Sequence, residues 1–257
     1  MASFTPIPTS LIDLPSRLPR RLPRRLPPEE PDRQVRAYLK LLSRLSSFHD
    51  RPYSWGYTIF RTVYTPESDE TFPKAIESLK FWANRFVMRE LEVKRLPNEA
   101  PLDPAPNEEL ARRFYCDIMQ DAATLDGAVV EEVGKRFDAW VNEHLQPEVR
   151  KRMVMGRYSF CIMLDQQGID HLLQMRDNPT PHKAFRAQLR LHVKLLTDWQ
   201  RDPEEGGRFW IRVGIQDQLF PLCFGLGDSD ISELGLPDAT DGVHNFYGMF
   251  PFHPELD

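Results

Sequence analysis

A strand-like segment followed by a long amphipathic helix constrains this fold more than any other sequence feature. Aromatic and β-branched residues dominate residues 53–64, which predicts a strand. Residues 71–91 carry the clearest helical periodicity in the chain. Their apolar stripe consists of Phe72, Ala75, Ile76, Leu79, Trp82, Phe86 and Leu91. Such a stripe must be buried against another element, so the pair predicts a sheet covered by helices.

Two later segments alternate apolar and polar residues with the period of a strand. In residues 189–195, the leucine-rich positions point to one face of the predicted strand and Lys194 points to the other. In residues 208–215, apolar residues again point to one face, and Trp210 and Arg212 point to the other. The acidic, glycine-containing stretch 202–207 between them predicts an antiparallel hairpin. Together the segments predict an α+β fold with a mixed or mainly antiparallel sheet, helices on one face and a partly ferredoxin-like topology.

The first 33 residues differ in composition from the rest of the chain. Arginine, leucine and proline repeat through residues 17–27, and proline opposes both a long helix and a central strand. The sequence therefore predicts a disordered basic tail over residues 1–33 and a single α+β domain over residues 34–257. The tail suits docking onto an acidic partner, or it is a solvated leader without one.

Charge and cysteine content narrow the classes of function. A net charge of -5 disfavours binding to polyanions, so no nucleic-acid partner is expected, and no apolar run is long enough to predict a membrane span. Cys116, Cys161 and Cys223 lie far apart in apolar segments. Their spacing favours reduced core thiols in the cytoplasm or nucleus over a disulfide framework. No motif predicts a metal or a cofactor.

Three residues are candidates for ligand binding. Arg61 lies in the middle of the first predicted strand, where it needs a carboxylate partner or binds an anion beneath a pocket. Asp121 and Asp165 follow predicted strands. Convergent strand ends would let them bind a cation or transfer protons, although aspartate is equally a preferred turn residue. Both alternatives stay open for all three residues, and catalytic residues are unknown.

Several segments of the chain resemble a group of proteins from filamentous fungi. The most specific segment is WGYTIFRTVYTPESD at residues 55–69, followed by the amphipathic helix. Residues 125–133, 157–165 and 219–224 fit the same pattern. The resemblance implies a fungal intracellular protein, and a setting near secondary metabolism, but it implies no activity.

Two functions of different classes follow as expectations. The absence of a catalytic motif, together with the basic tail, predicts a non-catalytic interaction protein with a protein partner. The alternative is a small-molecule-binding protein, or an enzyme acting on a fungal metabolite, with Arg61 and either Asp121 or Asp165 lining its pocket. Whether the chain is an enzyme stays open at this point.

Overall fold

A computed structural model describes nine stretches of the chain, namely residues 33–45, 53–92, 101–145, 156–177, 191–197, 210–216, 218–224, 235–237 and 243–246. The helices are α1 (Gln34–Leu45), α2 (Pro66–Glu92), α3 (Ala105–Arg112), α4 (Ala122–Leu125), α5 (Val130–His144), α6 (Gly156–Ser159) and α7 (Gln166–Asp177). The strands are β1 (Thr58–Arg61), β2 (Asp117–Met119), β3 (Phe160–Leu164), β4 (His192–Thr197), β5 (Trp210–Gly214), β6 (Gly235–Pro237) and β7 (His244–Phe246), and a 3₁₀ helix covers Phe220–Phe224.

The strands form one mixed sheet in the order β2-β1-β3-β4-β5-β7-β6. β1 is parallel to both β2 and β3. The next two pairings, β3 with β4 and β4 with β5, are antiparallel. β5 pairs with β7 in parallel, and β7 pairs with β6 antiparallel. The predicted α+β class and mixed sheet are confirmed.

Helices cover both faces of the parallel half of the sheet. The Phe60 ring lies against Phe137 of α5, with ring centroids 6.4 Å apart. The next residue, Arg61, points to the other face, where its guanidinium lies 4.9 Å from the Phe72 ring of α2. Successive strand residues alternate between faces, so α5 and α2 lie on opposite sides. We call these sides the α5 face and the α2 face.

The order β2-β1-β3 explains why helices occupy both faces. The chain moves from β1 to one neighbour through α2 and then across to the opposite neighbour through α5. Crossovers between parallel strands are right-handed, so reversing direction places the two helices on opposite faces. This is a doubly wound arrangement. It corrects two details of the expectation, helices on one face and a partly ferredoxin-like topology.

The antiparallel half has one apolar face and one polar face, as the alternating pattern predicted. Val193, Leu195, Ile211 and Val213 are completely buried on the α2 face. Lys194, Trp210 and Arg212 point to the α5 face and are half-buried. The predicted turn at residues 202–207 lies outside the described residues, but β4 and β5 pair antiparallel as expected. Two further strands, β6 and β7, follow β5 along the chain and complete the sheet.

A buried arginine fixes α1 against the rest of the domain. Arg33 is 3% exposed, and its Nε donates to Glu90 Oε2 of α2 at 3.1 Å. Its other nitrogens donate to the carbonyl of Asp103 at 2.8 Å and to the side-chain oxygen of Asn107. Arg33 is the last residue of the predicted tail, whose other residues lie outside the described part of the chain.

Buried thiol and phenol groups make this fold less stable at alkaline pH. Burial raises the pKa of the Cys116 thiol from 9.0 to about 12. Burial also raises the pKa values of Cys223 and Tyr57 well above their usual range. In the unfolded chain these groups lose their protons at lower pH. Their contribution to stability is therefore complete below about pH 8.5 and is lost as the pH rises toward the folded-state values.

We expect the urea midpoint of unfolding to fall as the pH is raised from 8 to 11, because the unfolded state releases protons that the folded state keeps. Circular dichroism at several urea concentrations and pH values measures this slope. A Cys116→Ala variant should have a shallower slope than the wild type. A midpoint that does not change over this range, or an unchanged slope in the variant, would contradict the assignment of these buried groups.

Candidate functional site

The parallel strands bring the three predicted site residues to one edge of the sheet. Arg61 ends β1, Asp121 follows β2 after one further residue, and Asp165 directly follows β3. The ends of β1 and β3 are adjacent, since the Thr62 amide donates to the carbonyl of Leu164 at 2.9 Å. Carboxyl ends of parallel strands share an edge, so the ends of these three strands lie side by side. We call this the carboxyl edge.

Arg61 holds the connection between β1 and α2. It is 5% exposed, and its guanidinium lies 4.5 Å from the centre of the Tyr64 ring. Its hydrogen-bond acceptors are the Val63 carbonyl at 2.8 Å, Gln120 Oε1 at 3.3 Å, Ser68 Oγ at 2.9 Å and Asp69 Oδ1. These four acceptors provide hydrogen-bond partners within the protein for the buried guanidinium. The geometry therefore matches the structural alternative, a buried arginine paired with a carboxylate.

Asp121 begins a short helix. Its carboxylate accepts from the Ala123 amide at 3.2 Å and from the Thr124 hydroxyl at 2.6 Å, which makes it the N-cap of α4. Its own amide donates to the Tyr64 hydroxyl at 2.8 Å. Tyr64 thus contacts both Asp121 and Arg61. The described residues contain no group of three or more metal-ligating side chains.

Asp165 combines a capping role with an ion pair. Its Oδ1 accepts from the Gly168 amide at 2.9 Å in the first turn of α7. Its Oδ2 accepts from Lys194 Nζ of β4 at 2.5 Å. The side chains of Asp165 and Lys194 are 25% and 22% exposed. This is an ion pair at the carboxyl edge that solutes can reach.

Lys194 has a second cation as its neighbour on the α5 face. It is paired in register with Arg212 of β5, which is in turn paired with Asn245 of β7. The Trp210 ring contacts both cations, with its centroid 5.5 Å from Lys194 Nζ and 5.9 Å from Arg212 Cζ. The sequence did not indicate Lys194 or Arg212 as site residues, because the alternation of apolar and polar residues shows only that their side chains point away from the apolar face. We call Lys194, Arg212 and Trp210 the basic cluster.

Two histidines meet where β3 ends. The pairing of β3 with β4 stops at Met163 and Lys194. Beyond that point, His171 Nδ1 of α7 lies 2.9 Å from the carbonyl oxygen of His192 and 3.3 Å from its amide nitrogen. The two rings are 4.7 Å apart. His192 is 8% exposed. His192 is buried because His171 of α7 covers the start of β4.

A buried ion pair lies at the opposite edge of the parallel strands. The Arg157 side chain is fully buried and donates to Asp117 Oδ2 at the start of β2 and to the carbonyl of Tyr115 at 2.6 Å. Burial alone lowers the pKa of Arg157, but the Asp117 carboxylate reverses that effect and the pKa is raised overall. The pair joins α6 to β2 and keeps the guanidinium charged. Its burial indicates a structural role.

Comparisons with protein-family models, curated proteins and solved structures found no match to the chain. Among the described residues, no helix has the length and apolar content that crossing a bilayer requires.

Proposed function

We propose that this chain is a small-molecule-binding protein whose ligand lies at the carboxyl edge, between the ends of β1 and β3. The strand order β2-β1-β3 carries the proposal. The strand order reverses at β1, which has β2 on one side and β3 on the other. Ligands of open α/β proteins bind outside the carboxyl ends of the strands at such a reversal.

The side chains at this edge suit a polar ligand. Asp165 presents a carboxylate at the end of β3, and Lys194 presents an ammonium group beside it. Both are partly exposed, so a ligand can exchange with their mutual contact. Thr62 fixes the end of β1 against β3. These groups can orient a ligand by hydrogen bonds and charge, which is what the polar residues of binding sites do.

This proposal develops one of the two hypotheses from the sequence. It moves the binding role from Arg61 and Asp121, whose side chains hold local structure, to Asp165 and Lys194. The interaction hypothesis stays a prediction, because residues 1–32 of its basic tail lie outside the described residues. The fungal origin and the link to secondary metabolism likewise remain proposals from the resemblance, and the cytoplasmic or nuclear location remains a proposal from the spacing of the three cysteines.

Native mass spectrometry of the protein purified from its source organism tests the proposed function. We expect the wild type to carry an additional small-molecule mass that organic solvent removes. A Lys194→Met variant keeps the aliphatic stem and removes the charge, so it should lose most of this mass. Lys135→Met is the matched control, because Lys135 is an exposed lysine of α5.

Two outcomes would contradict the proposed function. One is a wild-type protein that carries no small molecule and instead co-purifies with a polypeptide, which would favour the interaction hypothesis. The other is a bound small molecule that is retained equally by both lysine variants. Matching circular dichroism spectra of the variants would ensure that lost binding does not reflect lost structure.

A further inference from the structure

We infer that the small molecule carries a hydroxyl group, and that this hydroxyl binds Nε2 of His171. The inference rests on the proposed function, and it adds the chemical class of the ligand and a further binding residue. His171 lies in α7, the helix that follows β3, and its side chain is half-buried. The evidence is the way in which the backbone of His192 holds the imidazole ring.

The Nδ1 atom of His171 lies between a hydrogen-bond donor and an acceptor of one residue. It is 3.3 Å from the amide nitrogen of His192 and 2.9 Å from the carbonyl oxygen of His192. An Nδ1 atom without a proton accepts from the amide, whereas a protonated Nδ1 donates to the carbonyl. The fold therefore admits either neutral tautomer of this ring in one position.

The other ring nitrogen, Nε2, is the part of His171 that is left for a ligand. Among the described residues, none forms a hydrogen bond or an ion pair with Nε2. The ring is fixed from a second side by the His192 ring, whose centroid is 4.7 Å away at an angle of 67°. A nitrogen held in this way needs little further ordering when it binds, which lowers the entropy cost of binding.

A hydroxyl group matches both states of Nε2. In a neutral imidazole, Nε2 carries the proton when Nδ1 does not, and lacks it when Nδ1 carries it. Because the His192 backbone admits both forms, the best partner of Nε2 is a group that can both accept and donate. A hydroxyl does both, whereas a carbonyl oxygen only accepts and an ammonium group only donates.

His171 lies close enough to the proposed site for one molecule to contact both. His192, whose backbone holds the ring, and Lys194 are two residues apart on β4, which corresponds to about 7 Å along a strand. Asp165 caps the helix that carries His171. A hydroxyl is uncharged, so it binds His171 without separating the ion pair of Asp165 with Lys194. Other polar atoms of the same molecule can contact that pair.

Two substitutions of His171 separate its contact with β4 from its contact with the ligand. Asparagine places its amide near the position of Nδ1, so His171→Asn keeps the contact with the His192 backbone and has no group at the position of Nε2. Glutamine is one carbon longer and places its amide near Nε2. Asparagine is therefore the better replacement for a residue that only attaches α7 to β4, and glutamine is the better replacement for a residue that binds a ligand.

The probe is the small molecule that the full-length wild type retains, released by organic solvent and returned to ligand-free protein. Calorimetry measures its dissociation constant. We expect His171→Asn to weaken binding roughly tenfold, a usual effect of leaving one partner of a hydrogen bond unpaired. His171→Gln should weaken binding less than about threefold, because its amide can donate or accept at the position of Nε2.

His144→Asn is the matched control for these substitutions. His144 of α5 is also half-buried, and its Nδ1 lies 2.8 Å from the carbonyl oxygen of Trp140. This variant should bind the molecule as tightly as the wild type does. Circular dichroism and urea unfolding of all three variants show whether any loss of binding reflects a loss of structure.

Methylation of the hydroxyl groups of the released molecule is the second test. A methyl ether keeps an oxygen that accepts but has no hydrogen to donate, so we expect binding to the wild type to weaken roughly tenfold. The inference is overturned if the methylated molecule binds as tightly as the original, if His171→Asn binds as tightly as the wild type, or if His171→Gln loses as much affinity as His171→Asn.

The two proposals fail separately. A retained molecule that has no hydroxyl group, or that binds equally well to His171→Asn, would uphold the proposed function and overturn the hydroxyl inference. A wild type that retains no small molecule would overturn both.

Discussion

Replacing Asp117 with asparagine is expected to lower the free energy of unfolding by about 3–5 kcal/mol, the usual effect of removing one partner from a buried ion pair. Arg157 is fully buried, and the Asp117 carboxylate is the negative charge that its Nη1 contacts. Asparagine keeps an oxygen near this position but leaves the guanidinium charge uncompensated. Urea denaturation followed by circular dichroism measures the change.

Asp69→Asn is the matched control for this prediction. Asp69 also pairs with a buried arginine, Arg61, but its side chain is 63% exposed. Water screens such a pair, so its loss should cost no more than about 1 kcal/mol. Equal destabilisation by the two substitutions, or a smaller effect at Asp117, would contradict the structural role given to the buried pair at the amino ends of the strands.

Gly56→Ala is expected to destabilise the fold by about 3 kcal/mol or more, because the backbone there leaves no room for a side chain. Gly56 has a φ of +139°, and a Cβ atom on it would lie 2.1 Å from the carbonyl oxygen of Tyr115. That neighbour cannot move easily, since the Tyr115 amide donates to the carbonyl of Trp55 at 2.8 Å. Thermal and urea unfolding measure the loss.

Gly127→Ala separates the steric effect from the conformational one. Gly127 also has a positive φ, +67°, but a Cβ atom there would meet nothing within 4 Å. Only the left-handed backbone is unfavourable for alanine, at a cost of about 1–2 kcal/mol. If Gly56→Ala cost no more than Gly127→Ala, the close packing of Gly56 against the segment leading into β2 would be wrong.

Local patterns were sufficient to predict the main elements of the fold. Periodicity identified α2 and the alternating strands β4 and β5, because burial of one face leaves a repeating mark in the sequence. The start of α2 was placed too late. The helix begins at Pro66, with Thr65 and Ser68 exchanging hydrogen bonds between side chain and backbone at 3.1 and 2.8 Å. A threonine followed by proline is a helix-start signal that the helical stripe alone does not reveal.

Contacts between distant segments could not be predicted in this way. Asp165 was selected because it follows a strand, but its partner Lys194 is 29 residues away and is fixed only by the register of β3 with β4. The facing of Lys194 and Arg212 depends on the register of β4 with β5. Register and strand order arise from the packing of the whole sheet, whereas periodicity indicates only which side of a strand is buried.

A crystal structure of the protein as purified from its source organism, without added ligands, tests directly whether the carboxyl edge binds a small molecule. We expect a bound small molecule at the carboxyl edge between the ends of β1 and β3, in contact with Lys194 and close to Asp165. A ligand bound elsewhere, for example at the amino ends of the strands near Arg157, would contradict the account. So would a carboxyl edge covered only by another polypeptide.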